Sequence, residues 1–337
     1  MEARYQEDKI TSSSALTKQS FSTKTTTLLP RLALDYKVTP DVNLYAQVAK
    51  GNNPSGINID VLTPNKQAIA TALGNKTQLD AFLRFQEESL WNYELGIKGL
   101  FFHRRLRADF AVFDMEWKNY VQPYNFALGT AGSVPGFPTA SDYNSRVFRN
   151  SGAVQSKGVE LSGELRVTDA FRVEGAFAYT HARFKTNCSP NLVQYGLPVF
   201  TTTPVPCVNV AGHSPALLPA YAASLGATLD EPIGGGWRWV NRVDLAYTDK
   251  QFLDDGNLNW IGSRTVVNLR TSFRRKGLQL DAAVTNVGND KTPGTAQAVN
   301  DQRVQAANLA LTGQSGVNIS APIPRPREFS VRASYRF

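Results

Sequence analysis

The sequence predicts an all-β protein, an antiparallel up-and-down transmembrane β-barrel of about 11 or 12 strands. Three observations lead there. Strand-like runs are joined alternately by very short and by long connections, the runs are 12 to 17 residues long, and apolar and polar residues alternate along them with period two. Short turns on one side of a sheet and long loops on the other are the pattern of an outer-membrane barrel. Runs of this length exceed the roughly 5–6 residues of an ordinary globular strand and fit a tilted span that continues past a bilayer.

Strands are expected at 26–38 and 41–51, 87–101 and 105–121, 152–168 and 171–185, 217–230 and 237–250, 263–275 and 278–288, and 327–337, with a twelfth within 2–10. Thr39-Pro40-Asp41, His103-Arg104-Arg105, Thr168-Asp169-Ala170, Gly234-Gly235-Gly236 and Arg275-Lys276-Gly277 carry the turn chemistry that closes a hairpin. The long connections, 52–86, 122–151, 185–216, 251–262 and 289–326, are rich in Gly, Pro, Asn and Ser and all fall on one side. Within the first, Ala68, Ala72, Leu79, Phe82 and Leu83 have helical spacing and predict a short helix between Asn65 and Glu87, outside the membrane.

Period two separates Val159, Leu161, Gly163, Leu165 and Val167 from Glu160, Ser162, Glu164, Arg166 and Thr168. It also separates Phe329, Val331, Ala333, Tyr335 and Phe337 from Ser330, Arg332, Ser334 and Arg336, and Trp237, Trp239, Val243, Leu245 and Tyr247 from Arg238, Arg242 and Asp244. One face suits lipid, the other water. Aromatic residues such as Trp91, Tyr93, Trp117, Tyr120, Trp260 and Tyr335 cluster where strands meet connections, the place of interfacial girdles.

Composition agrees with a barrel. Of the 337 residues 42% are hydrophobic and 19% charged, too apolar for disorder and too polar for a bundle of membrane helices. No window approaches the roughly 18 apolar residues of a spanning helix. The net charge of +8 comes from Lys and Arg scattered singly through strand-like runs rather than gathered in a stripe, so nucleic acid is not an expected partner. Residues 1–8 lack the basic start, apolar core and cleavage site of a secretory signal, so either the protein is cytosolic or Met1 is not the native start.

Motifs of enzymatic chemistry are missing. His103, His181 and His213 are scattered, and no His-Glu-x-x-His or Cys-x-x-Cys arrangement occurs, so neither metal ligands nor a cofactor site are expected. Gly234-Gly235-Gly236 is followed by no Lys-Ser or Lys-Thr and reads as a turn, not a phosphate loop. Ser214 follows His213 outside any Gly-x-Ser-x-Gly elbow, which leaves an outer-membrane lipid esterase as a remote alternative. Cys188 and Cys207 fit a disulfide or two free thiols. Because barrels fold in the oxidising periplasm, a disulfide pinning the 185–216 loop on the extracellular side is expected, worth about 3 kcal/mol for a loop of this size.

Several segments resemble one family. Asn150-Ser151-Gly152-Ala153 followed by Ser156-Lys157-Gly158-Val159-Glu160-Leu161 looks like the Gly-Val-Glu strand of TonB-dependent receptors. Leu44 to Gly51, Trp91 to Lys98 and Ala283 to Asn289 resemble other strands of the same barrel, in family order. The final Glu328 to Phe337 is similar to the last strand of outer-membrane proteins, which commonly stops on an aromatic residue. The resemblance implies the carboxy-terminal portion of a 22-stranded barrel, residues 1–337 forming a single barrel domain without its plug. It also implies a Gram-negative outer membrane, energy coupling through TonB, and import of a ferric siderophore, cobalamin or sugar. With about half the strands and no plug, the chain is expected to be truncated; a passive porin or an autotransporter barrel of about 12 strands is the alternative. Glu160, Glu164, Arg166, Arg238, Arg242, Asp244, Arg264, Arg270, Arg332 and Arg336 are the candidate lumen-facing charges, placed to guide an anionic ligand or grip a plug. Phe337 is the candidate assembly signal, a lipid-facing end of the last strand read by the barrel-insertion machinery.

Overall fold

The structure, a computed structural model, describes residues 1–14, 19–189, 192, 207–300 and 317–337. Twelve long strands follow one another in a single antiparallel sheet: β1 (Glu2–Ser14), β2 (Gln19–Thr39), β3 (Val42–Asn53), β4 (Glu88–Phe101), β5 (Leu106–Ala127), β6 (Asn144–Arg166), β7 (Phe171–Ser189), β8 (Tyr221–Gly234), β9 (Trp237–Thr248), β10 (Arg264–Arg275), β11 (Leu278–Thr285) and β12 (Glu328–Tyr335). Each pairs with its neighbours in sequence, the up-and-down order. Among the described residues the path is open: β1 pairs only with β2 and β12 only with β11, so each end presents an unpaired strand edge.

The short connections turn tightly. Phe102, His103 and Arg104 take positive φ, as do Lys276, Gly235 and Gly236. The Thr168 hydroxyl accepts from the N–H groups of Ala170 and Phe171, and Arg104 pairs with Asp41 at 2.7 Å, tying two adjacent turns together. The Asp41 carboxylate raises the pKa of that guanidinium.

Strand limits depart from expectation where loop-like composition hides pairing. β5 and β6 run on past 121 and begin before 152, because Asn125 opposes Arg146 and Ala127 opposes Asn144. Before β8, Leu217 at φ 59 breaks the strand expected from 217. β11 stops short of 288 because Asn286, at φ 51, turns the chain and bonds Asp290. The expectation that the last strand runs to Phe337 is corrected: β12 ends at Tyr335, and the Arg336 N–H makes one last bond to Gly277. The opposite strand has by then entered its turn, so Phe337 has no ladder partner; it is fully exposed, its ring edge-on to Tyr335.

The expected single helix between 65 and 87 is two, α1 (Pro64–Ala72) and α2 (Lys76–Ala81), separated by Gly74 at φ 73. They bury Ile69 and Leu79 against Val61, Phe82, Leu128, Tyr143 and Val147, a small core shared between the loops after β3 and β5. A second core, Val154, Phe184, Leu192, Val208 and Val210, packs at the ends of β6 and β7. Among the described residues the sheet has no such core away from its loop end. Residues directly opposed across strands share a face, so Tyr36, Leu44, Ile97, Phe110, Leu161 and Phe177 form one continuous apolar row over six strands. These side chains are uncovered: Tyr36 is 69% and Leu161 48% exposed, and Leu225 further along is 52%. An apolar face of this extent, left bare in water, marks a membrane or partner surface. Among the described residues no helix is long and apolar enough to cross a membrane.

Candidate functional site

The opposite face is a polar wall. In one row Lys37, Asn43, Lys98, Asp109, Ser162, Ala176 and Ser224 oppose one another from β2 to β8. Tyr45 lies across from Gly96, where a Cβ would meet its ring at 2.5 Å, and donates its hydroxyl to Glu94 at 2.6 Å. Phe113 lies over Gly158 in the same way. A Cβ on the glycine of the Ser156 to Leu161 segment would meet the Tyr179 backbone carbonyl at 2.2 Å as well as the Phe113 ring at 2.5 Å. A cavity of about 620 Å³ opens here, framed by Tyr45, Glu94, Lys98, Asp109 and Glu160.

The candidate charges within the strands all fall on this polar face, while Arg336 lies just past the end of β12. Glu160 opposes Ala111 and Ala178, and Glu164 opposes Arg107 and Glu174. Arg238 pairs with Asp230 at 2.8 Å, and Arg242 pairs with both Glu174 and Asp244. Arg270 stands directly across from Arg242, and Arg332 from Asp281. Arg264 opposes Thr248, nearer the loops, and its Nε is buried without a hydrogen-bond partner among the described residues. The structure therefore joins Arg238, Arg242 and Asp244 into ion pairs and leaves Glu160, Arg264 and Arg332 apart from that group.

At the loop end, different segments meet. Gln122 of β5 donates to Asp255 in the loop after β9. Asp255 is half-buried, and its desolvation pushes its carboxyl above the usual range against the opposing pull of the Gln122 bond. His213 Nδ1 lies 3.2 Å from the Asp255 carbonyl, whereas the Ser214 hydroxyl meets Arg183. His213 and Ser214 thus serve different partners and do not form a nucleophile and base. Cys188 and Cys207 are joined, with Cα atoms 5.3 Å apart, beside the second loop core.

Sequence reasoning passed over Arg172, Glu174, Arg274 and Asp281, which complete this wall. The signal was present: Arg172, Glu174, Ala176 and Ala178 alternate with Phe171, Val173 and Phe177 as clearly as the segments that were read. Tyr45 and Glu94 gave none, because a tyrosine above a glycine is a relation between strands, not within one.

With barrel strands in order, a bare apolar face and a charged polar face opposite it, the chain belongs to the TonB dependent receptor-like β-barrel family, whose model matches residues 2–287. Over 153 residues it is 26% identical to the metal-pseudopaline receptor CntO of Pseudomonas aeruginosa, covering 45% of this chain and 16% of that protein. Its fold is similar to that of the ferric yersiniabactin uptake receptor FyuA from Yersinia pestis (TM-score 0.64, 16% identity, 99% of this chain and 42% of that one). It is also similar to the siderophore receptor PiuA from Acinetobacter baumannii (TM-score 0.61, 15% identity, 98% and 39%). The chain therefore spans well under half the length of these relatives, all of which are named as receptors rather than enzymes.

Proposed function

We propose that the chain forms part of the wall and mouth of an outer-membrane receptor that imports a scarce nutrient, of the class of metal chelates such as ferric siderophores. The observation that carries this is the family match over residues 2–287, and the bare apolar row from Tyr36 to Phe177 supports a lipid-facing wall. In this reading the polar wall lines the lumen of a Gram-negative outer-membrane barrel, the barrel-insertion machinery places it there, and a plug domain and TonB couple it to energy. Relatives named for a metal-pseudopaline chelate and for ferric yersiniabactin support the substrate class. The loops after β3, β5, β7 and β9 supply the ligand-facing mouth, where reach and variability favour selection.

Deleting the gene and measuring uptake of radiolabelled ferric chelates by whole cells tests this. Loss of uptake of one chelate, restored by the gene only when TonB is present, is expected. Undiminished uptake of every chelate, with loss of passive leakage of small hydrophilic solutes instead, would favour a porin.

A further inference from the structure

The turn end of the polar wall holds an arginine row. Arg166 opposes Arg172, Arg172 opposes Thr228, Thr228 opposes Arg242, and Arg242 opposes Arg270, so four arginines and one threonine stand abreast across five strands. Arg274 lies two same-face positions beyond Arg270, past Ser272 and closer to the 276–277 turn. The next row toward the loops, about 6.6 Å away at two residues per step, is acidic: Glu164, Glu174 and Asp244, with Gly226 between them.

These two rows do not neutralise each other. Arg242 alone takes both Glu174 and Asp244, and also donates to Thr228. The remaining acid, Glu164, lies across from Arg107. Asp230 is held by Arg238, and Asp281 accepts from Ser272 and Gln279. Among the described residues Arg166, Arg172, Arg270 and Arg274 make no direct ion pair, with only the Asp281 charge near Arg274 and Arg270, although like charges set directly opposite repel. All four line one cavity of about 520 Å³, together with Arg242 and with Glu164, Asp169 and Asp230, so the arginines outnumber the carboxylates on its wall. Planar guanidinium groups on adjacent strands match oxyanions bidentately.

We propose that this cavity is a binding station for a small polyanion, one carrying two or more phosphate or clustered carboxylate groups that bridge arginines on neighbouring strands. It lies at the turn end of the wall, away from the loop mouth, and its occupant is the charged part of a cargo on its way out of the lumen. The acidic row above it repels the same groups, so an anion is held at the lower row and not above it. The inference rests on the reading of the polar face as the lumen of an import barrel.

Isothermal titration of inorganic pyrophosphate into the detergent-purified protein, in the polypeptide that carries this chain, tests it without transport. Binding that weakens as NaCl rises from about 0.05 to about 0.5 M is expected. Neutralising two arginines in R172Q/R270Q lowers affinity about tenfold or more, E164Q tightens binding, and K76Q in α2 leaves it unchanged. The double variant relieves like-charge repulsion, and its unchanged melting temperature would exclude misfolding. Equal affinity in wild type and R172Q/R270Q, no heat at low salt, or binding of an acidic peptide in preference to pyrophosphate would overturn the proposal. Chelate uptake is a separate readout: a failed titration with intact uptake removes only the arginine station, and the reverse removes only the import reading.

Discussion

The Gln122 side-chain amide donates to the Asp255 carboxylate 133 residues further along the chain, joining the loop-side part of a long strand to the loop that follows a strand four places along the sheet. Asp255 also accepts from the Ala216 N–H, and its burial favours the protonated form. A group whose folded pKa is raised contributes stability below its unfolded value and loses it as pH rises through the folded one. Hydrogen exchange of the 249–263 loop is therefore expected to quicken as pH rises from the ordinary carboxylate range toward neutrality, after correction for intrinsic exchange. In D255N the dependence disappears. Its amide also reaches the Gln122 Oε1, which has no partner, so at neutral pH the variant is as stable as wild type or more so by about 1 kcal/mol. Faster loop exchange in D255N at neutral pH would contradict this.

Ser224 and Leu225 are adjacent yet face opposite ways, Ser224 across from Ala176 and Ala246, Leu225 on the bare apolar side. L225R is expected to lower folding into liposomes by about 2–4 kcal/mol if the residue lies near the bilayer midplane, and S224R by far less. The fraction of heat-modifiable folded protein on a gel reads both. Equal losses would mean that the faces are wrongly assigned.

Thiol titration of the unfolded, unreduced protein is expected to find no free thiol, Cys188 and Cys207 being bonded. C188S/C207S should lose about 3 kcal/mol of local stability in the chain-entropy account. Limited proteolysis within 189–206 would show it as faster cleavage, with strands of the wall still protected. Two titrating thiols would defeat the assignment.

Deletion of Phe337 is expected to reduce outer-membrane abundance while the molecules that insert keep their ligand affinity. The residue lies beyond the last ladder bond, and among the described residues its ring contact is with Tyr335, so its removal unpairs nothing in the described sheet. Normal abundance would end the assembly role, and weakened affinity at normal abundance would place Phe337 on the ligand side.

The wall was legible because the side-chain period of a strand is two and a lipid face needs every second residue apolar: Leu161 against Glu160 and Ser162 reads the same in one strand as in the sheet. Strand ends were not, since Asn125, Arg146 and Asn144 pair like wall residues while looking like loop. The arginine row could be read residue by residue, but that Arg242 opposes Arg270 and takes both neighbouring acids depends on register, which no single strand encodes. The loop cores were half-visible: Leu79 and Phe82 showed helical spacing, but their partners Tyr143 and Val147 come from another hairpin.

That shared loop core sets how new specificities can arise. Val61, Ile69, Leu79 and Phe82 are contributed by one loop, Leu128 and Tyr143 by another with Val147 from the start of β6 that follows it, and the Asn58 side chain bonds the backbone of both segments at Phe82 and Phe148. Water, not lipid, drives this module, so it answers to different selection from the wall beneath it. Exchange of residues 54–87 alone with those of another receptor would strand half a core, whereas the two segments transferred together carry a complete one. Recombination within such receptors should thus leave paired breakpoints, with the two loops inherited as one unit despite the strands that separate them.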